Sequence, residues 1–279
     1  MSKNIRASML PGYSDCTRRA VAKQFKRKLQ KLGYEFRELP PSVGSSVGTA
    51  VHASTTALNL ALWRGETPNV SQAVEMAMVG MVEELSTGCI WDATTPNMNT
   101  AQGQVQRMTE VYVPRMPLTI NGEPAVEIGG EMGLTADCGD GWILTGHPDL
   151  IDADRLLEDT KTGAVVRPYQ GQLGGYSLLV RSNKITELAG VGMRYIPRMA
   201  KGKFQTPPVF TGYSVAQCER NAMGTIQRIK SDMLLFDLSI TGNRPQGDLE
   251  LAFPCNQSSM MCSDKYCPAR GTDFCELTK

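Results

Sequence analysis

The chain has 279 residues, a hydrophobic fraction of 41% and a formal net charge of +1, so it can bury a full core and is not a polycation. No run of about 18 apolar residues occurs, which excludes a membrane-spanning helix. The start, Met1-Ser2-Lys3-Asn4-Ile5-Arg6, lacks the apolar core of a secretory signal. The expectation is a soluble cytoplasmic protein with no membrane partner.

In chain order, residues 14–32 read as a first helix. Ser14 is the expected N-cap, Val21, Phe25, Leu29 and Leu32 recur at helical spacing, and Gly33 ends it. The charge is uneven here: Arg18, Arg19, Lys23, Lys26, Arg27, Lys28 and Lys31 follow one another with no acid among them. Such a run is either a solvated helix face or a surface that tracks phosphates, with Arg18, Arg19 and Lys23 as its DNA contacts. Pro40-Pro41 and the Gly/Ser stretch to Gly48 read as a loop, residues 49–63 as a second helix, and Val70 to Leu85 as a third with a Met-rich apolar face. A turn-rich loop over Thr94 to Asn99 precedes a fourth helix from Ala101 to Val113.

From Ala125 the pattern changes to short strands divided by glycines, ending at Lys161. Residues 168–182 return to helix, Leu188 to Ile196 and Val209 to Tyr213 read as strands, and Ser214 to Phe236 as a long helix. Helices, a strand-rich centre, a helix and further strands predict one α/β domain with a mixed sheet. No internal repeat or low-complexity linker divides it.

The chemistry concentrates between Gly146 and Tyr176. Asp149 sits in an apolar run, with Trp142 to Leu144 before it and Leu150-Ile151 after it, which reads as a buried strand. A polar turn over Asp152 to Arg155 then leads to Leu156-Leu157 and on to Asp159-Thr160-Lys161. Two adjacent strands so joined would bring Asp149 and Asp159 together, and alternation along a strand points Asp159 and Lys161 the same way. Two carboxylates and an ammonium on one spot are costly unless a divalent cation lies between the acids. That set suits phosphodiester hydrolysis, with carboxylates holding Mg²⁺ and the lysine offsetting developing charge.

The ordered set G-x-x-D, a ten-residue interval, D-x-K-T and a helix opening with Q-x-x-x-Y resembles the PD-(D/E)XK nuclease superfamily. Within it, the chain is most similar to RecB-like exonucleases, AddB, and CRISPR-associated and phage relatives that carry a metal-bound cysteine cluster. The resemblance implies a single restriction-endonuclease-like domain over residues 1–279. Residues 1–120 would be mostly helical, 121–215 the catalytic sheet core flanked by helices, and 250–279 a cysteine-bearing tail. It implies Asp149 and Asp159 as ligands of Mg²⁺ or Mn²⁺, with the Thr160 carbonyl as a further one and Lys161 as the catalytic lysine. Gln172 and Tyr176 match the helix that flanks the active site and contacts DNA.

His52, in Gly48-Thr49-Ala50-Val51-His52, is one of 2 histidines. By itself it reads as a capping or core histidine. The resemblance places a G-x-x-x-H on an early helix whose imidazole binds the metal, and imidazole is an acceptable ligand for Mn²⁺ or Mg²⁺. The glutamate that often follows in the family is missing from Ala53-Ser54-Thr55-Thr56, so Glu127 is the candidate for another carboxylate. His147 is expected to face away from Asp149.

Of the 8 cysteines, Cys255, Cys262, Cys267 and Cys275 crowd the end of the chain. In an intracellular protein this favours a metal over disulfides, and the spacing does not match a zinc finger or ribbon. The resemblance implies a [4Fe–4S] cluster held by Cys16, from a Y-x-x-C-x-R-R start, with Cys262, Cys267 and Cys275. Cys255 is the rival fourth thiolate, which would make a local zinc or iron–sulfur knuckle. Cys89, Cys138 and Cys218 read as ordinary buried thiols.

The implied function is a metal-dependent DNA exonuclease acting on linear ends, single- or double-stranded, in repair and recombination, alongside a single-strand annealing or recombination protein. No Walker A motif accompanies it, so it would act without a fused helicase. The alternatives are a non-catalytic DNA-binding or scaffolding protein on the same fold, and a site-specific endonuclease.

Overall fold

In the computed structural model of the chain, which describes residues 3–239 and 246–276, the basic N-terminal segment is not one helix but three. These are α1 (Leu10–Asp15), α2 (Thr17–Gln24) and α3 (Lys26–Lys31). Cys16 is extended between the first two, with φ −147° and ψ 105°, and Phe25 leaves the helical region at φ −110° and ψ 21°. Ser14 is therefore not an N-cap; it lies inside α1 and its hydroxyl donates to the Leu10 carbonyl. Gly33 does end the segment, in the left-handed region at φ 87° that glycine enters without cost.

Ahead of these helices, β1 (Lys3–Arg6) runs parallel to β5 (Trp142–Gly146). No periodicity marks so short a strand.

Next, α4 (Val43–Trp63) begins earlier than residue 49, because Ser42 caps it by accepting from the Ser45 amide. Asn69 caps α5 (Val70–Ser86) and Asn97 caps α6 (Met98–Glu110) in the same way. The asparagine inside the expected loop at residues 94–99 is thus the start signal of α6. These three helices close over an apolar cluster of their own, including Val47, Val51, Leu58, Met81, Val105 and Met108, with Ile196 from the sheet.

The strands form a mixed arrangement. A three-stranded sheet has the order β1-β5-β4, with β4 (Leu134–Asp137) antiparallel to β5. The chain leaves β5 through His147–Asp149 into a four-stranded sheet of order β6-β7-β8-β9. Its members are β6 (Leu150–Ile151), β7 (Leu156–Gly163), β8 (Gly190–Pro197) and β9 (Val209–Tyr213), paired antiparallel, parallel and antiparallel. A small hairpin, β2 (Thr119–Ile120) with β3 (Glu123–Pro124), stands apart.

The parallel β7–β8 pair needs a crossover, and α7 (Gln170–Ser182) supplies it. It packs on the long α8 (Val215–Ser239), where a Cβ on Gly174 would lie 1.9 Å from the Cys218 carbonyl oxygen. Only glycine permits that approach. The expected fold class forms: an α/β domain with mixed sheet, flanking helices and a helical N-terminal part.

A short α9 (Gln246–Ala252), not legible in the sequence, leads into an irregular tail. The tail is bound to the chain's beginning. Arg18 Nε donates to the Phe253 carbonyl at 2.8 Å, Asn256 Nδ2 to the Asp15 carbonyl at 2.9 Å, and Ser259 Oγ to Asp15 Oδ2 at 2.7 Å. Phe274 packs edge-on against Tyr34 and Phe36.

Candidate active site

The turn between β6 and β7 is built by Asp152, whose Oδ1 accepts from the Asp154 and Leu156 amides while Arg155 adopts φ 62°. The register pairs Leu150 with Glu158, which leaves Asp149 opposite the Asp159–Thr160 step. The Thr160 amide donates to Asp149 Oδ2 at 2.9 Å. Asp159 is completely buried. Two residues on and on the same face, Lys161 Nζ lies 2.8 Å from Asp159 Oδ2 and 3.0 Å from Oδ1. Only the Oδ1 contact has hydrogen-bond geometry, so Oδ2 is a buried oxygen without a hydrogen-bond donor.

The electrostatics follow from that crowding. Burial first, and then the Asp159 carboxylate, push the Asp149 carboxyl up to about 7. Burial works against the Lys161 ammonium, but Asp159 and Asp149 outweigh it and raise its pKa. The Tyr169 ring lies 5.2 Å from the same ammonium.

His52 projects from the middle of α4 into this group. Its Nε2 is 2.6 Å from Glu127 Oε1 and its Nδ1 is 3.5 Å from Asp149 Oδ2. Burial opposes the imidazolium, yet the Glu127 hydrogen bond and the Asp149 charge carry its pKa up to about 9. Glu127 responds in the opposite sense: burial would raise its carboxyl, and His52 with Thr56 brings it below the usual range. Thr56, one helical turn from His52, donates to the same Glu127 oxygen at 3.1 Å. Thr56 was not anticipated; its i, i+4 spacing from His52 is the signal that could have found it. Glu127 also sits at φ 51°, a left-handed conformation costing a non-glycine residue about 1–3 kcal/mol. Its backbone is fixed there by the bond from its amide to the Asp149 carbonyl, 2.9 Å.

Gln172 and Tyr176 lie on the buried face of α7, joined by a Gln172 Nε2 to Tyr176 Oη bond of 2.8 Å. Burial and then the two aspartates raise the Tyr176 pKa well above normal, so the phenol stays protonated beside them. Gly146 makes room for it, since a Cβ there would lie 2.9 Å from the Tyr176 ring. The glycine of G-x-x-D therefore has a packing role. His147 is exposed and lies within electrostatic reach of Glu127.

The basic N-terminal segment is largely spent within the protein, against the expected DNA contacts. Arg18 is buried and committed to Glu250 Oε1 at 2.7 Å and to the Phe253 carbonyl, so it cannot meet DNA. Arg19 is buried and pairs with Asp15 Oδ2 at 2.8 Å. Lys23 is exposed. The run is basic partly because it faces acids far along the chain, which sequence proximity cannot show.

The cysteines gather from both ends of the chain. Burial raises the Cys262 thiol, with Cys267, Cys16 and Cys255 adding to it, and burial, Glu250 and Cys16 raise that of Cys255. Cys255, held in reserve by the sequence, thus stands within electrostatic reach of Cys16 and Cys262. Cys275 is buried in the core beside Phe274.

Among the described residues, no group of three or more His, Cys, Asp and Glu side chains is drawn together as a formed metal site. The donors in the acid cluster are joined by hydrogen bonds instead. Their chemistry fits a hard divalent cation nonetheless: a fully buried carboxylate with an oxygen lacking a hydrogen-bond donor, a second, mostly buried carboxylate, and an imidazole at the rim. Cys16, Cys255, Cys262 and Cys267, within electrostatic reach of one another, are of the type that a thiolate-ligated centre uses.

No protein-family model matches this chain, and no curated protein matches it. Among solved structures it is similar to a candidate exonuclease from Eubacterium rectale, with 12% identity and a TM-score of 0.47 over 81% of this chain and 80% of that one. A likeness so distant says nothing of activity, and the site stands on its own geometry. No helix is long and apolar enough to cross a membrane, among the described residues.

Proposed function

We propose that the protein is a metal-dependent deoxyribonuclease that hydrolyses phosphodiester bonds at DNA ends. One observation carries the reading: the mostly buried Asp149 carboxyl meets the fully buried Asp159, whose charge raises the Asp149 pKa. A structural acid at that depth is matched by cations, as Glu158 is by Arg194 and Arg115, and is not set against a second carboxylate.

Asp149 and Asp159 would hold Mg²⁺ or Mn²⁺, with His52, Glu127 and the Thr160 carbonyl as further donors. When bound, the metal would supply an activated water and an electrophile for the phosphoryl oxygen. The chain's own residues do the rest. The Thr160 amide fixes the Asp149 carboxylate by its bond to Oδ2. Lys161 stays an ammonium, because both aspartates favour its charge, and it can donate to an oxygen that gains negative charge in the transition state. Tyr169 and Asp159 hold that ammonium in place. Gln172 orients the Tyr176 hydroxyl, which closes the site from the α7 side.

End-labelled linear DNA and covalently closed duplex circles, each incubated with Mg²⁺ or Mn²⁺ and with EDTA, test the reading. Linear DNA should be degraded, circles spared and EDTA inhibitory. Rapid cutting of circles favours an endonuclease, and binding without cleavage favours the scaffolding alternative.

For the thiols we propose a structural metal centre, either [4Fe–4S] or zinc, that fastens Cys16 to the tail. Iron, sulfide and zinc analysis of anaerobically purified protein identifies the metal. Cys255→Ala and Cys275→Ala then decide the fourth ligand, the damaging one being the ligand.

A further inference from the structure

A groove of about 620 Å³ runs along the α5–α6 pair and shares no lining residue with the acid cluster. Val70, Val74, Met78 and Val82, each four residues from the last, form one apolar ridge of α5, about 18 Å long at about 1.5 Å per residue. Val74 is buried and the other three are half-buried. A second ridge of the same helix, Glu75, Val79 and Glu83, lines the groove too, with Val79 58% exposed. On α6, Gln106 and Glu110 line it one turn apart, Gln106 Nε2 donating to Glu110 Oε1 at 2.9 Å. Glu75, Glu83 and Glu110 are exposed and make no ion pair among the described residues, and no lysine or arginine lines the groove. The whole of α5 carries Glu75, Glu83 and Glu84 and no basic residue. Met76, 67% exposed, extends the apolar surface, and Gly80 lies one turn further on, where a Cβ would meet nothing within 4 Å. No contact inside the protein calls for that glycine, which weakens an exposed helix relative to alanine but lets another backbone come close.

We propose that this groove docks an amphipathic helix of a partner protein, apolar along one stripe and flanked by lysines or arginines. The proposal lies beyond the nuclease reading and does not rest on it. Charge decides the occupant. An apolar ridge attracts any apolar surface, but the carboxylates on both helices lose hydration under a cover unless cations meet them. They also repel an anionic membrane, and in a two-fold contact between copies through this face they would oppose one another. Geometry decides the form. Ridges of residues four apart leave grooves that accept the matching ridge of another helix, and a length of about 18 Å seats roughly three turns of it. Met76 and Met78 add unbranched, adaptable side chains of the kind that suits a helix laid into an apolar groove.

Fluorescence anisotropy on the full chain tests this with labelled synthetic helices as probes. One carries leucines at every fourth position flanked by lysines, a second the same leucines flanked by glutamates, and a third the lysines with alanine in place of leucine. The Leu/Lys helix should bind at least roughly tenfold more tightly than either of the others, and less tightly as salt is raised. Glu75→Lys combined with Glu83→Lys should weaken it at least roughly tenfold, and Val79→Asp by a similar factor. Glu35→Lys combined with Glu187→Lys, the same charge change at exposed positions outside the groove, should bind as wild type. Equal binding of either control helix overturns the proposal, as does unchanged affinity in the Glu75/Glu83 variant or an equal loss in the Glu35/Glu187 variant. So does a wild-type dimer in analytical ultracentrifugation that the Glu75/Glu83 variant dissociates, since a second copy then covers the groove. DNA cleavage by the Glu75/Glu83 variant should match the wild type, so a failed groove and a failed catalytic site give different results.

Discussion

Glu158 and Asp159 are neighbours in β7 and almost equally buried, at 2% and 0% exposure, yet their surroundings differ completely. Glu158 faces the side where Arg194 Nη2 lies 2.7 Å from Oε2 and Arg115 Nε 3.1 Å from Oε1. Arg115 is shared with Asp152 at 2.5 Å, so the charges there are matched and the β6–β7–β8 pairing is pinned. Asp159, on the opposite face, meets a lysine and a second carboxylate. One face of the strand balances its charge within the protein; the other leaves a negative excess that a bound cation would complete. Burial alone does not distinguish a structural acid from a functional one. The balance of partners does.

Four experiments test that contrast. The largest effect is expected at the unbalanced face. Asp159→Ala should reduce DNA cleavage by roughly 10³-fold or more, because the metal's contribution goes with it. Its melting temperature should stay level or rise, since a buried like-charge contact with Asp149 is relieved. Full cleavage by this variant in an end-labelled assay would sink the assignment.

At the balanced face the expectation reverses. Glu158→Ala strands Arg194 and leaves Arg115 only Asp152, and should cost about 3–5 kcal/mol of stability in urea unfolding. If it unfolds at the wild-type midpoint, the contrast between the two faces fails. Lys161→Ala comes next, with cleavage reduced roughly 10²–10³-fold while Mn²⁺ affinity, followed by calorimetry, changes little. A variant that loses metal and activity together would make Lys161 a support of the metal site and not a transition-state donor.

The smallest effect is a pH response just past the end of β8, where Arg198 Nη2 pairs with Asp92 Oδ2 at 2.7 Å. Burial would raise the Asp92 carboxyl, but Arg198 and the Thr95 and Thr94 amides hold it below its ordinary value of 3.8. A folded-state value below the unfolded one contributes stability above pH 3.8, lost as the pH falls through the lower folded value. Thermal melts between pH 5 and pH 2.5 should therefore converge for wild type and Asp92→Asn. Parallel curves would show that the pair adds nothing.

How far the sequence reached differs between elements. The helices α5 and α8 and the strand β9 were legible nearly to the residue, because each satisfies its own periodicity. The single helix expected over residues 14–32 was not, because the breaks at Cys16 and Phe25 arise where the chain packs against distant partners. The start of α4 was hidden in glycines and serines that read as a loop. Gly48 is a glycine there for a tertiary reason: a Cβ would lie 2.8 Å from Thr162 Oγ1 of β7.

For the site, the meeting of Asp149, Asp159 and Lys161 was already legible in the local sequence. Two strands joined by a short polar turn have few registers, and the period of two leaves a D-x-K pair no choice but to share a face. It also placed His52 on a helix. The tertiary structure alone decided that His52 meets Glu127, that Thr56 supports that contact, that Arg18 is spent on Glu250, and that Cys255 stands near Cys16. These depend on pairs separated by most of the chain, and electrostatic and packing energies act through space, so no local pattern encodes them.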